Sequence, residues 1–174
     1  MITRASYVKD KILDVDGASK RSNVWKLKSE KVVFTNGCFD ILHEGHVKYL
    51  AEAAELGNRL VVGLNTDDSV RRQEKGDDRP INSEASRAII LASLGFVDMI
   101  VLFDEDTPVE LIKKLKPDVL VKGADYDANE TDVNSSKYIV GSDVMRTYGG
   151  SVQSIPLIEG FSTTGLIKKI NRDG

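Results

Sequence analysis

His43 and His46 are the only histidines in the chain. They stand three residues apart, where an apolar run of strand type gives way to a helical pattern. On a helix that spacing puts both rings on one face, about 4.5 Å apart along the axis, so their nitrogens can converge on one ligand. Gly45 between them removes a side chain where an anion must approach the backbone. The free N–H groups and partial positive charge of a helix start favour the same anion. This chemistry suits the α-phosphate of a nucleotide, where charge grows on the oxygens during in-line displacement. Lys48 on the same helix can reach the same phosphates. A zinc site is the competing use of two histidines, but it favours HxxxH spacing with further ligands, and Cys38 is the only thiol in the chain.

A strand, a tight turn and a helix must hold this pair, and the rest of the chain repeats that alternation. Strand-like runs lie at Val32–Thr35, Leu60–Leu64, Met99–Phe103, Val119–Lys122 and Val152–Ile155. They are short, continuous and rich in Val and Ile, as strands buried on both faces are. Helical patterns fall at His46–Leu56, Ser83–Leu94, Pro108–Leu115 and Ser136–Tyr148, with a last helix from Ser162. Thr107 as N-cap and Pro108 at the first helical position mark the third of these. The alternation predicts a doubly wound, parallel, five-stranded α/β sheet. Residues 1–30 read as an N-terminal helical arm anchored by Trp25, and residues 31–174 as the main domain.

In such a sheet ligands bind beyond the C-terminal ends of the strands. The residues there are Thr35, Asn36 and Gly37, then Asn65 and Asp67, then Glu105 and Asp106. Lys122, Gly123 and Asp125 follow the fourth strand, and Ser162, Thr163 and Thr164 come after the fifth. The last three form an ordinary N-cap pattern, and a cap with spare hydroxyls is also an anion site.

The 174 residues carry a net charge of −3, with 41% hydrophobic and 29% charged residues. That composition predicts a soluble globular protein with no global basic field for nucleic acid or membrane. No apolar run approaches a membrane span of roughly 20 residues, and MITRASYVKDK has no apolar signal core. The single cysteine excludes an intrachain disulfide, and the expected compartment is the cytoplasm.

TNGCFDILHEGH (35–46) resembles the HxGH signature of the cytidylyltransferase-like nucleotidyltransferases, relatives of the class I tRNA synthetases. Further segments resemble, in order, the adenylyltransferases that activate heptose 1-phosphate: LNTDDSV (64–70), KGDDRPIN (75–82), FDEDTPVELI (103–112), KPDVLVKGADY (116–126) and EGFSTTGLIKKI (159–170). The resemblance implies a Rossmann-like fold and transfer of AMP from ATP to a heptose 1-phosphate, for lipopolysaccharide or other surface glycans. It implies His43, His46, Lys48, Lys75 and Arg79 as the catalytic set. Nucleotide contacts are expected from Thr35, Asn36, Gly37, Cys38, Phe39, Asp40, Gly45, Arg87, Gly123, Asp125, Ser162, Thr163 and Thr164. Substrate contacts are expected from Asn65, Asp67, Glu105, Asp106 and Lys122. Magnesium is expected on the ATP phosphates without dedicated protein ligands, with Asp40 orienting either the loop or a water on the metal. Cys38 reads as a packing residue.

The chain departs from the family at Ala124, where KGGDY is usual, and at Leu157-Ile158, where the glycerol-phosphate cytidylyltransferases carry an arginine before Glu-Gly. In many bacteria this domain is fused behind a sugar kinase. The chain resembles the stand-alone form, which leaves the kinase as a separate partner, and a homodimer is the expected assembly. The alternatives are a cytidylyltransferase for glycerol 3-phosphate or another phospho-alcohol, and a non-catalytic module that senses ATP.

Overall fold

The computed structural model describes residues 3–73, 79–123, 125–156 and 165. In chain order the elements are α1 (Arg4–Lys9), β1 (Ile12–Leu13), α2 (Val15–Leu27), β2 (Val32–Gly37), α3 (Glu44–Ala54), β3 (Arg59–Asn65), α4 (Asp67–Arg72), α5 (Glu84–Ala92), β4 (Met99–Phe103), α6 (Val109–Leu115), β5 (Val119–Gly123), α7 (Ser142–Thr147) and β6 (Ser151–Ile155). The strands form one parallel sheet in the order β1-β4-β3-β2-β5-β6. The expected doubly wound sheet is present, with a sixth strand.

That strand, β1, comes from the arm. Ile12 and Leu13 pair with Ile100 and Val101, so residues expected to form only a helical arm extend the sheet at its edge. Two residues are too few to show a strand period, which is why the sequence pattern hides it. Helix α2 follows, capped by Asp14, whose Oδ1 accepts from the Gly17 N–H at 2.7 Å. Its side chains complete the end of α6. Ser22 and Lys26 both donate to the Leu115 carbonyl, satisfying a group that a helix C-terminus leaves orphaned. Trp25 is buried, with the Arg59 guanidinium 5.4 Å from its ring, while Arg59 also pairs with Glu30 and Asp98.

Alternation along the strands sends side chains into two cores. On one face Val33, Leu60, Val62 and Ile100 pack with Tyr49, Leu50 and Ala53 of α3 and Ala88, Leu91 and Ala92 of α5. On the other, Phe34, Val61, Met99 and Leu120 pack with Ala18 and Trp25 of α2, Leu111, Ile112 and Leu115 of α6, and Met145 of α7. Gly63 has no side chain because a Cβ there would come within 2.8 Å of the Phe34 ring.

Two helices differ from the sequence reading. Pro108, not Thr107, is the N-cap residue of α6, with no side-chain cap bond, and Lys116 closes the helix at φ 46 before Pro117. The helix expected over Ser136–Tyr148 forms only at Ser142–Thr147. The start of the expected span turns on Ser135 instead, whose hydroxyl accepts from the Lys137 N–H at 3.2 Å and whose carbonyl accepts from the Tyr138 N–H at 3.0 Å. The last helix predicted from Ser162 lies outside the described residues apart from Gly165, which is helical.

Candidate active site

The chain reverses its winding direction at β2. From β2 it steps through β3 to β4, then crosses back so that β5 lies on the other side of β2. Register between β2 and β3 continues to Gly37↔Leu64, whereas between β2 and β5 it runs only from Val33↔Val119 to Phe34↔Leu120. The strands therefore part beyond Phe34 and open a crevice at their C-terminal ends, the usual ligand position in a doubly wound sheet. Lys122 reaches across it, its Nζ donating to the Asn36 carbonyl at 3.1 Å.

The loop from Cys38 to Leu42 is held from behind. Phe39 takes φ 45, a left-handed conformation that costs a non-glycine residue about 1–2 kcal/mol. The turn sets its ring edge-on to His46, with centroids 5.2 Å apart. Asp40 is buried, and its carboxylate accepts from Arg79 Nε at 2.5 Å and from the backbone N–H groups of Ile81 and Asn82, each at 2.9 Å. The Asn82 amide returns a bond to the Asp40 carbonyl at 2.6 Å. Four donors thus tie the histidine loop to residues 79–82. With its carboxylate so occupied, Asp40 does not fit a magnesium ligand and orients the loop.

His43 is the N-cap of α3. Its Nδ1 accepts from the His46 N–H at 3.3 Å, which leaves the ring proton of the neutral imidazole on Nε2. The two rings stack, with centroids 3.7 Å apart and planes 15° from parallel. Burial lowers the His43 pKa. Burial, and then the neighbouring His43, push His46 down to about 4. Both rings are therefore neutral at pH 7 and can offer a ligand hydrogen bonds but no positive charge. His46 Nδ1 is buried with no hydrogen-bond partner among the described residues. Gly45 is the second residue of the helix, as an anion approaching its start requires.

Several expected ligand contacts are structural instead. Arg87, expected at the nucleotide, is fully buried. Its Nε donates to the Asn82 carbonyl at 3.0 Å, Nη1 to the Cys38 carbonyl at 2.7 Å and Nη2 to Asp67 Oδ1 at 2.7 Å. It has no face left for a phosphate and staples the histidine loop to α4 and α5. Asp67, expected at the substrate, gives Oδ1 to that staple. Thr35, expected at the nucleotide, is buried with its hydroxyl 2.7 Å from the Tyr49 hydroxyl, which also donates to the Val121 carbonyl at 3.2 Å. Burial pushes the Tyr49 pKa up to about 12. Asn65, expected at the substrate, is buried and donates to Ser69 Oγ at 3.0 Å. Arg87, Thr35 and Asn65 thus make their polar contacts inside the protein, as burial demands, while part-buried Asp67 commits one carboxylate oxygen.

The remaining candidates divide by position. Asn36, Gly37, Lys122 and Gly123 line the parting strands. Cys38 is buried, its Sγ 3.4 Å from Gln73 Oε1, which fits a packing role. Lys48 pairs with Glu44 at 2.5 Å on the exposed side of α3. Glu105, Asp106 and Asp125 are exposed, and Asp106 pairs with Arg72 at 2.9 Å. Lys75, Ala124, Ser162, Thr163 and Thr164 lie outside the described residues. Sequence reasoning missed Tyr49, Asn82 and Arg72. Only Asn82 left a usable signal, as the residue before the Ser83 cap in the KGDDRPIN segment. Among the described residues no cluster of three or more His, Cys, Asp or Glu is placed to hold a metal ion.

A parallel sheet reversing beside a paired-histidine helix start defines a nucleotide-handling α/β domain. The cytidylyltransferase-like family matches residues 34–168, and the chain belongs to that family of nucleotidyltransferases. It is 61% identical over 141 residues to the bifunctional protein HldE of Campylobacter concisus, covering 81% of this chain and 27% of that protein. It is 49% identical over 172 residues to the bifunctional protein HldE of Magnetococcus marinus, covering 98% of this chain and 34% of that protein. The chain thus spans about a quarter to a third of the length of these relatives. Among solved structures, a lipopolysaccharide core biosynthesis protein from Thermoplasma volcanium superposes with a TM-score of 0.57 at 29% identity, over 74% of this chain and 97% of that one. A pantoate-beta-alanine ligase from Francisella tularensis shares the fold, with a TM-score of 0.58 at 15% identity over 88% of this chain and 69% of that one.

Proposed function

We propose that the chain transfers AMP from ATP to a heptose 1-phosphate, giving ADP-heptose and pyrophosphate for lipopolysaccharide or another surface glycan. The observation that carries the chemistry is the stacked neutral pair His43–His46 at the start of α3, beside the switch-point crevice. Similarity to HldE, the likeness to a lipopolysaccharide core biosynthesis protein and the order of the heptose-type segments support the substrate.

In the reaction an oxygen of the sugar phosphate attacks the α-phosphorus of ATP while the bond to the β-phosphate oxygen breaks. The nucleophile is already an anion, since the second pKa of a phosphomonoester is about 6, so no general base is needed. The protein's work is positioning and charge stabilisation. His43 offers its Nε2–H, His46 its imidazole, and α3 its first N–H groups to the α-phosphate oxygens. Arg79 is tied to the histidine loop through Asp40, and the resemblance adds Lys75, Ser162, Thr163 and Thr164 as phosphate contacts. Magnesium would come bound to the nucleotide and would offset the charge of its phosphates. A kinase that supplies the sugar 1-phosphate, a homodimeric assembly and a cytoplasmic setting belong to the same proposal. Among the described residues no helix is long and apolar enough to cross a membrane.

The test is a grid of four nucleoside triphosphates against a panel of sugar 1-phosphates and glycerol 3-phosphate, scored by pyrophosphate release. Sustained release with ATP and a heptose 1-phosphate is expected. Preference for CTP with glycerol 3-phosphate would assign the chain to the cytidylyltransferases, and ATP binding without turnover would make it a sensor.

A further inference from the structure

Among the described residues, the crevice holds a polar group that the phosphate chemistry leaves unused. Asn36 is the penultimate residue of β2, just where β2 and β5 part. Its Oδ1 is buried and has no hydrogen-bond partner among the described residues. Its surroundings fix its direction. Asn36 lies two residues after Phe34 and so shares that residue's face of the sheet, opposite Thr35 and the histidine helix. Gly63 beside it is bare, and a Cβ there would come within 3.2 Å of the Asn36 Cβ. The Asn36 backbone carbonyl is held by Lys122 Nζ, which keeps the residue at the lip of the crevice. A buried acceptor without a donor is destabilising, and native proteins rarely keep one without a use.

The chemistry of the missing donor is restricted. Phosphate oxygens at the histidine helix are acceptors at pH 7 and cannot satisfy a carbonyl oxygen. The partner must be an O–H or N–H donor, and both substrates of the proposed reaction carry hydroxyls beyond their phosphates. We infer that the Asn36 side-chain carbonyl accepts a hydrogen bond from a substrate hydroxyl, of the nucleotide ribose or of the sugar 1-phosphate, and so selects that substrate. The inference rests on the proposed adenylyl transfer, and it assigns Asn36 to specificity rather than to the reacting phosphates. A site built to bond a hydroxyl discriminates against analogues that lack it, because the buried acceptor is then left empty again.

Two measurements test it. In the first, wild-type enzyme is assayed by pyrophosphate release with ATP, 2′-deoxy-ATP and 3′-deoxy-ATP, and with sugar 1-phosphates lacking single hydroxyls. One deoxy substrate should raise KM by about tenfold, while the others stay near the parent compound. In the second, Asn36→Leu removes the orphan acceptor and keeps the shape. Its melting temperature without ligand should be equal or higher, and its KM should rise about tenfold for the same substrate that lost affinity on deoxygenation. The deoxy analogue should lose nothing further with this variant. A rise confined to ATP with both deoxy-ATPs equal to ATP would trace the bond to the base and overturn the hydroxyl assignment. Wild-type enzyme indifferent to every deoxy substrate also overturns it, whether or not the leucine variant folds. Absence of wild-type turnover with any sugar 1-phosphate overturns the adenylyl transfer itself and this inference with it. Normal turnover with no shift overturns the Asn36 role alone.

Discussion

Two imidazoles stacked at 3.7 Å cannot both carry charge cheaply, and burial already holds the His46 pKa at about 4. The pair is therefore neutral at physiological pH, and the role proposed for it in the transition state is directional hydrogen bonding. His46→Ala should lower turnover on the order of 10²-fold or more, measured by pyrophosphate release at saturating ATP. The same burial ties stability to pH. An ordinary histidine in the unfolded chain titrates near 6.5, so between about pH 6.5 and 4 the unfolded state binds the extra proton. Stability from this group is complete above pH 6.5 and is lost as pH falls towards 4. A melting-temperature profile over that range should slope downward with acid, and His46→Gln should flatten it. The histidines themselves were legible because both fall at one strand-to-helix junction. The state of their protons was not, since it depends on a stack and a burial that spacing alone does not set.

At the scale of elements, the site is a loop held by its neighbours. Asp40 takes Arg79 and two backbone N–H groups from the segment before α5, and Arg87 of α5 reaches back to the Cys38 carbonyl and across to Asp67 of α4. The helices that flank β3 and β4 thereby fix the loop that follows β2. Arg87→Met keeps bulk but leaves Asp67 and the Cys38 carbonyl without their donor. It should cost about 3–5 kcal/mol in a denaturant melt and weaken kcat/KM with every substrate alike, because it misplaces the loop and not one ligand contact. Sequence reasoning placed Arg87 at the nucleotide because arginine suits phosphate, and Thr35 there because it stands at the end of a strand. What it lacked was the facing element. Arg87 lies on the inner side of α5 and Thr35 opposite Tyr49, and only the packed helices show that both are consumed internally. The order of strands and helices in the main domain was legible, because buried parallel strands read as continuous apolar runs.

Over the whole molecule, chemistry and anchorage occupy opposite ends of the sheet. The histidines, Asn36 and Lys122 sit at the C-terminal ends of the strands. Trp25, Arg59, Glu30 and Asp98 gather near the N-terminal start of β3, where the arm docks. Trp25→Ala should therefore lower stability by about 3–5 kcal/mol while KM for either substrate, measured well below the melting temperature, stays unchanged. A parallel rise in KM would show that the arm communicates with the crevice. The arm's strand escaped the sequence pattern because Ile12 and Leu13 owe their conformation to β4, not to local preference.

The family match opens at Phe34, inside β2, yet the sheet it describes is completed by Ile12 and Leu13. A transplant of this domain cut at the matched boundary would strip β1 from the outer edge of β4 and remove Ser22 and Lys26 from the end of α6. The exposed ladder of β4 would then be open to pairing with another molecule. Any chimera that borrows this nucleotidyltransferase should place its junction upstream of α1, whatever activity is joined to it.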